Sequence, residues 1–205
     1  MTPTTLISPP KPRVSSQQRS KRRLRSTPVL AMAAVSALLG LSACTMSPSF
    51  PPATSTVASV DLNRYLGTWY EVGSVKQFFS IGLVNTKAQY SLNPNGTVRV
   101  ENSGNYFGPN GPQSRIVGSA APVDPSNARL NVAFVGTAST NPPGNYWIVD
   151  LDPDYQWAIV SDPSGASGFL LTRSRSVSPE FYDELVSRAA AKGVNVANLT
   201  RTPQL

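Results

Sequence analysis

Between residues 67 and 174 the chain contains eight short extended segments separated by turn signals, and this pattern most limits the folds open to it. The segments lie near 67–78, 84–92, 97–103, 114–121, 128–136, 144–151, 155–161 and 167–174. Strands this short and this evenly spaced are typical of antiparallel neighbours, and a sheet has exposed edges unless it closes on itself. The sequence therefore predicts an all-β fold, an eight-stranded antiparallel up-and-down barrel.

Turn residues mark the ends of these segments. Asn93-Pro94-Asn95-Gly96 is typical of a tight hairpin, with glycine where the backbone tolerates a positive φ. Gly108-Pro109-Asn110-Gly111-Pro112 and Asn141-Pro142-Pro143-Gly144 predict longer loops, and Asp152-Pro153-Asp154 predicts a short turn. No helical pattern interrupts the series, so each strand is expected to pair with the next one.

One helix is predicted after the eighth strand, and it is expected to pack outside the barrel. Ser178 suits its N-cap, Pro179 suits its first turn, and Gly193 is a stop signal. Apolar residues recur along it at helical spacing, namely Phe181, Leu185 and Ala189. A short helical turn is also predicted before the first strand, with Asp61 as its N-cap.

Two strand ends carry side chains suited to closing one end of a barrel. Trp69 begins the first strand, and Gly67 lets the backbone pass close to another group. Arg173 ends the eighth strand, and a guanidinium group stacks favourably on an indole ring. We expect Gly67, Trp69 and Arg173 to form a structural plug.

Three blocks of the sequence resemble the lipocalins, in particular the bacterial lipocalin lipoproteins related to apolipoprotein D. They are Gly67-Thr68-Trp69-Tyr70-Glu71-Val72, the run from Tyr146 to Tyr155, and Leu171-Thr172-Arg173 followed by a helix and Thr200-Arg201-Thr202-Pro203-Gln204. The resemblance covers residues 58–205 and implies the same barrel with one helix after it. The chain departs from close relatives at Phe169, where tryptophan is usual, and this change is expected to reshape the cavity without altering the fold.

The first 43 residues have the features of an export signal. Seven basic residues precede an apolar stretch over 29–41, which as a helix is about 20 Å long and too short for a bilayer core of about 30 Å. Leu41-Ser42-Ala43-Cys44 resembles the lipobox of bacterial lipoproteins, in which the cysteine is acylated after cleavage. An uncleaved anchor with an incidental cysteine is the alternative, and Arg22-Arg23 leaves twin-arginine export open.

Removing this segment also removes the excess positive charge. The whole chain carries a formal charge of +7, but eleven basic and eleven acidic residues remain after Cys44. No basic patch for nucleic acid survives. The expected organisation is a signal peptide over 1–43, an acylated Cys44 with a flexible Pro/Ser/Thr-rich tether over 44–59, and a barrel domain over 60–205.

The residue types present exclude several kinds of site. The chain has no histidine and one cysteine, so Ser-His or Cys-His catalysis, histidine metal ligands and an intrachain disulfide are ruled out. The acidic run Asp150, Asp152 and Asp154 contains a proline, which favours a solvated turn over a calcium loop. We expect neither a metal nor a cofactor.

Strand alternation and the resemblance together predict the lining of the barrel. If Trp69 faces inward, so do Glu71, Gly73 and Val75, and if Arg173 does, so do Leu171 and Phe169. The resemblance implies four further lining residues. The expected ligand-binding set is Glu71, Tyr90, Asn102, Phe134, Tyr146 and Phe169. A buried carboxylate needs a partner, and Arg173, a tyrosine hydroxyl or a ligand is expected to provide one to Glu71.

The resemblance implies a membrane-anchored protein that holds a small hydrophobic ligand, such as a fatty acid, a lysophospholipid or another envelope lipid. One alternative is an enzyme that uses Glu71 with Tyr90 or Tyr146 as an acid–base pair. Another is a structural envelope protein with a filled barrel. The expected location is the bacterial cell envelope, either the outer membrane of a two-membrane cell or the outer face of a single membrane. The oligomeric state stays open.

Overall fold

The computed structural model describes residues 55–77 and 80–205. Eight strands form the barrel: β1 (Gly67–Val75), β2 (Leu83–Leu92), β3 (Val98–Tyr106), β4 (Gln113–Pro122), β5 (Arg129–Ala133), β6 (Tyr146–Leu151), β7 (Trp157–Ser161) and β8 (Gly168–Thr172). Each strand pairs antiparallel with the next, and β8 also pairs with β1, so the sheet closes. The predicted eight-stranded up-and-down barrel is confirmed.

In the order of the sequence, one α-helix precedes the barrel strands and one follows them. The short α1 (Leu62–Tyr65) precedes the barrel, and α2 (Pro179–Ala191) follows it. Ser178 caps α2 as predicted, because its Oγ accepts a hydrogen bond from the Phe181 N–H. The apolar stripe of α2, including fully buried Leu185 and Ala189, packs against the outer face of the barrel. Among the described residues, no helix has the length and apolar character needed to cross a bilayer.

A ninth strand, which the sequence did not predict, completes the closure of the barrel where β1 meets β2. We call this junction of β1 and β2 the seam. β2 pairs with β1 only over Gly67–Tyr70. Beyond that point β9 (Leu199–Arg201) pairs with β1 over Gly73–Val75 instead. The β1 strand is therefore shared between two partners along one edge.

The residues after β9 fill the gap between β1 and β2. The Thr202 N–H donates to the Val72 carbonyl oxygen at 2.9 Å. The Gln204 side-chain amide donates to the carbonyl oxygens of Glu71 and Thr86, at 2.9 Å each. The C-terminal tail thus satisfies backbone groups that a continuous β1–β2 ladder would otherwise pair.

A β-bulge in β1 exchanges the inward-facing and outward-facing side chains in the second half of that strand. The pairing of β1 with β8 shifts between Glu71 and Gly73. A Cβ on Gly73 would lie 2.9 Å from the Tyr182 ring of α2, and Val75 borders the outward-facing Gly168. The expectation that Gly73 and Val75 face inward is therefore wrong, since the extra residue changes the alternation.

The end of the predicted tether contacts the barrel. The Val57 N–H donates to the Ile148 carbonyl oxygen at 2.9 Å, and the Val57 side chain packs against the interior apolar cluster. The described residues 55–59 are therefore not a free tether, contrary to expectation, because one apolar side chain finds a site on the barrel. The predicted signal peptide, Cys44 and the rest of the tether lie outside the described residues.

Arg173 closes one end of the barrel. The central carbon of its guanidinium group lies 3.7 Å from the centroid of the Trp69 ring. Gly67 has a φ of +93°, and a Cβ there would lie 3.4 Å from Arg173 Nη1. The guanidinium also donates to three backbone carbonyl oxygens, those of Thr68 at 2.8 Å, Arg64 at 2.8 Å and Tyr155 at 3.2 Å. The structure thus brings the three expected plug residues together.

Three tyrosines fill the barrel next to this plug. The Tyr146 hydroxyl lies 2.9 Å from that of Tyr65 and 3.1 Å from that of Tyr90. The rings of Tyr65 and Tyr90 stack with centroids 5.8 Å apart, and Tyr65 also packs against Trp69 at 5.0 Å. Burial raises the pKa of Tyr90 to about 12, and it raises the pKa of Tyr65 and Tyr146 well above the ordinary value. We call these three residues the tyrosine floor.

The Trp69–Arg173 contact can be measured with a double-mutant cycle. Trp69→Ala is expected to lower the free energy of unfolding by about 3–5 kcal/mol, as for other buried aromatic residues. Arg173→Ala should also destabilise the protein, and the two losses should be less than additive because each variant removes the same contact. As a control, Arg188→Ala removes an arginine stacked on Trp157 on the outer face, and its loss should add fully to that of Trp69→Ala. Full additivity in both cycles would contradict the contact.

The tyrosine floor sets an alkaline limit to stability. An unfolded tyrosine ionises near pH 10, whereas the pKa of Tyr90 in the folded protein is about 12. The unfolded state therefore loses protons first, and the free energy of unfolding should fall as the pH rises from about 10 to 12. In a spectrophotometric titration, part of the tyrosinate absorbance should appear only as the far-ultraviolet circular dichroism is lost. Ionisation of all seven tyrosines with the fold intact would contradict this account.

Candidate functional site

A cavity lies inside the barrel on the far side of the tyrosine floor from the plug. Its volume is about 340 Å³, at the lower end of the range of about 300–1,000 Å³ typical of small-molecule sites. A second space, of about 20 Å³, lies below it, and Tyr90 and Tyr146 line both. The tyrosines therefore separate the cavity from the closed end.

The structure brings all six residues of the expected ligand-binding set to this one cavity. They are Glu71, Tyr90, Asn102, Phe134, Tyr146 and Phe169. The rest of the apolar wall comes from small and branched side chains, namely Ala88, Val100, Val132 and Leu171. The lining is thus mainly apolar, with polar side chains from β1–β3, namely Glu71, Thr86 and Asn102, and with Asn145 next to β6.

Phe134 lies at the mouth of the cavity rather than within a strand. The fifth strand was predicted to run to residue 136, but β5 ends at Ala133. The Asn145 side chain accounts for the difference, because it accepts from the Val132 N–H at 2.8 Å and donates to the Val132 carbonyl oxygen at 3.0 Å. A side-chain amide thereby replaces the next rung of the ladder, and Phe134 is left 39% exposed at the mouth.

Glu71 is 8% exposed, and three donors converge on its Oε1 atom. They are the Ser74 hydroxyl at 2.6 Å, the Lys76 ammonium at 2.7 Å and the Thr202 hydroxyl at 2.5 Å. Neither Arg173 nor a tyrosine hydroxyl is the partner, contrary to expectation. The bulge in β1 turns Ser74 inward, and the C-terminal tail brings Thr202, so the partners depend on two features that the sequence did not predict.

Two residues important to the cavity were missed in the sequence. Tyr65 belongs to α1, so strand alternation carries no information about it. Thr86 lies four residues before Tyr90 on β2, so the alternation of side chains along that strand predicts that both residues face the cavity. Thr86 Oγ1 and Asn102 Oδ1 both lie in the cavity wall, buried and without a hydrogen-bond partner among the described residues.

The acidic run begins with Asp150 at the end of β6 and continues into a turn, as predicted. Asp152 Oδ2 accepts a hydrogen bond from the Gln156 N–H at 2.9 Å. Asp150 faces outward and lies 3.5 Å from Arg188 of α2. In the part of the chain that the structure describes, no group of three or more acidic, cysteine or histidine side chains is placed to hold a metal ion.

Comparison with known proteins relates this barrel to a family. Residues 60–204 match the family model of a lipocalin-like domain. The chain is 36% identical to temperature-induced lipocalin-1 of Arabidopsis thaliana over 159 residues, which cover 72% of this chain and 81% of that protein. It is 33% identical to the outer membrane lipoprotein Blc of Escherichia coli (strain K12), over 81% of this chain and 91% of that one. It is 28% identical to apolipoprotein D of Macaca fascicularis, over 86% and 96% of the two chains.

Solved structures show the same fold. The major allergen Per a 4 from cockroaches superposes with a TM-score of 0.54 at 16% identity, over 73% of this chain and 91% of that one. At that identity the likeness concerns the fold alone. The family match, however, spans most of the chain and agrees with relatives of more than 30% identity. The chain therefore belongs to the lipocalin family.

Proposed function

We propose that this lipocalin binds one small hydrophobic ligand in its cavity and holds it by burial, without changing it chemically. The observation that carries the proposal is a mainly apolar cavity of about 340 Å³ above a closed floor. Each methylene group removed from water contributes about 0.8 kcal/mol to binding. Single-chain envelope lipids, such as fatty acids and lysophospholipids, are the ligand class that suits a narrow apolar space of this kind.

The two ends of the barrel differ, and the difference favours entry of the ligand through only one of them. Arg173, Trp69 and the tyrosine floor obstruct the first end. The other end is bordered by the loops after β1, β3, β5 and β7, and two of these loops carry strongly exposed apolar side chains, Ile81 at 65% and Phe107 at 85%. A hydrophobic ligand would therefore meet an apolar rim before it reaches the cavity.

The arrangement of the polar groups favours binding over acid–base catalysis. The Glu71 carboxylate is already engaged, because its Oε1 atom accepts three hydrogen bonds, one of them from the Lys76 ammonium. Burial raises the pKa of Tyr90 and Tyr146, so both hydroxyls hold their protons near neutral pH. The volume of the cavity in turn favours ligand binding over a filled, purely structural barrel.

Anchoring of the protein to a membrane is the second part of the proposal. Two observations support anchoring: the lipobox-like tetrapeptide that ends at Cys44, and a relative of 33% identity that is named an outer membrane lipoprotein. Acylated Cys44 would be joined to the barrel by the residues between it and Ser55, a chain that reaches at most about 40 Å when extended. The proposed location is the cell envelope, at the outer membrane where the cell has one.

Ligand binding can be tested on the chain from residue 45 onward, made without its signal and acyl groups. A lysophospholipid that buries about ten methylene groups gains about 8 kcal/mol before ordering costs are subtracted. Titration calorimetry should therefore show one site per barrel, with a Kd below about 100 µM, equivalent to about −5.5 kcal/mol. No binding below that limit for any single-chain lipid would contradict the proposal and favour the filled barrel.

A pair of neighbouring variants tests whether the lipid occupies the cavity. Phe134→Asp places a charge in the apolar wall and should weaken binding by about tenfold or more. Val135→Asp adds the same charge one residue further on, where the side chain is 93% exposed and outside the lining, and should leave the Kd unchanged. Equal effects of the two substitutions would place the lipid elsewhere on the protein.

Membrane anchoring can be tested with Cys44→Ser. The substitution removes the only thiol, so acylation and the associated cleavage should both fail. Stable anchoring requires two or more acyl chains, because one chain gives only marginal binding. Fractionation and intact-mass measurement should show the wild type acylated and in the membrane fraction. A wild type that is soluble and carries no acyl group would contradict the lipobox assignment.

A further inference from the structure

The polar groups that remain free in the cavity wall point to the head group of the ligand. Thr86 Oγ1 and Asn102 Oδ1 are buried in the wall and have no hydrogen-bond partner among the described residues. We infer that they form a subsite for an uncharged hydroxyl group, and that the cavity prefers a single-chain lipid ending in a hydroxyl to one ending in a carboxylate. This inference rests on the proposed function and specifies the ligand class of the same site.

The register of the barrel places these atoms together. Asn102 pairs with Ala88, and Thr86 precedes Ala88 by two residues on β2, so Thr86 and Asn102 are diagonal neighbours on the inner face. The Gln204 amide donates to the carbonyl oxygens of both Thr86 and Glu71, which places Glu71 beside Thr86 across the seam. Three oxygen-bearing side chains therefore share one part of a mainly apolar wall.

The chemistry of these atoms distinguishes between head groups. Asn102 Oδ1 only accepts hydrogen bonds, whereas the Thr86 hydroxyl both donates and accepts. A ligand hydroxyl can donate to Asn102 and accept from Thr86, which satisfies both buried atoms. A carboxylate has no hydrogen to donate. It could accept from the Thr86 hydroxyl and from the amide N–H of Asn102, but Asn102 Oδ1 would stay unpaired in a buried setting, which is unfavourable.

The charges around the cavity also disfavour a carboxylate. Among the described lining residues, only Glu71 and Lys87 are charged. Lys87 is exposed and lies between inward-facing Thr86 and Ala88, so its side chain projects from the outer face. Lys76, 2.7 Å from Glu71, is outside the described lining. A bound carboxylate would thus lie near the negative Glu71 side chain, and the described lining offers it no cation that is free to pair with it.

Three ligands with the same chain test the inference on the chain from residue 45 onward. Dodecanol can donate a hydrogen bond, dodecyl methyl ether can only accept one, and dodecanoate at about pH 8 is charged. Dodecanol should bind about fivefold more tightly than the ether, as expected for one net hydrogen bond. It should bind at least about tenfold more tightly than dodecanoate, since a buried, uncompensated charge is more unfavourable still.

Near-isosteric variants locate the preference at the subsite. In Thr86→Val with Asn102→Leu, the alcohol and the ether should bind within about twofold of each other, because the hydrogen-bonding atoms are gone while the apolar wall remains. Ser103→Ala removes a hydroxyl from the outward-facing neighbour of Asn102 and should leave the wild-type preference intact. If the double variant does not fold, as judged by circular dichroism, the wild-type comparison of alcohol and ether decides alone.

The outcomes separate this inference from the proposed function. If all three ligands bind the wild type equally, or dodecanoate binds most tightly, the hydroxyl subsite is wrong while ligand binding stands. A preference for the alcohol that survives in the double variant would also overturn it. If no ligand binds below about 100 µM, both the proposed function and the inference fail.

Discussion

The stacking of Arg173 on Trp69 is the interaction on which the rest of the structure depends. It joins the end of the last barrel strand to the start of the first, and the hydrogen bonds from Arg173 to Arg64 and Tyr155 tie in α1 and the turn before β7. The tyrosine floor packs on this plug. Because one end is closed by side chains in this way, the other end can remain open without exposing the base of the core.

The seam between β1 and β2 is the second constraint, and it links the fold to the cavity. The bulge after Glu71 turns the end of β1 toward α2, so β2 cannot follow it to the mouth. The C-terminal tail occupies the resulting gap and brings Thr202 to Glu71. A buried carboxylate is thereby held at the edge of an apolar space, and the polar side of the cavity is a consequence of how the barrel closes.

The sequence predicted those features that depend on local pattern. Turn residues and alternation located the eight strands, Ser178 and Pro179 located α2, and alternation with family resemblance placed Tyr90, Asn102 and Phe169 in the wall. The features that it did not predict arise from single residues or from contacts between distant parts of the chain. One extra residue in β1 reverses Gly73 and Val75, and the partner of Glu71 comes from Thr202, 131 positions later in the sequence.

The central claim is that the space above the tyrosine floor holds one hydrophobic molecule. The most direct measurement is native mass spectrometry of the protein purified from the cells that produce it, followed by extraction and identification of what is bound. The account predicts one lipid-sized adduct per barrel, which is retained in Val135→Asp and lost or strongly reduced in Phe134→Asp. A wild-type protein that is purified without an adduct, and that gains none when mixed with single-chain lipids, would contradict it.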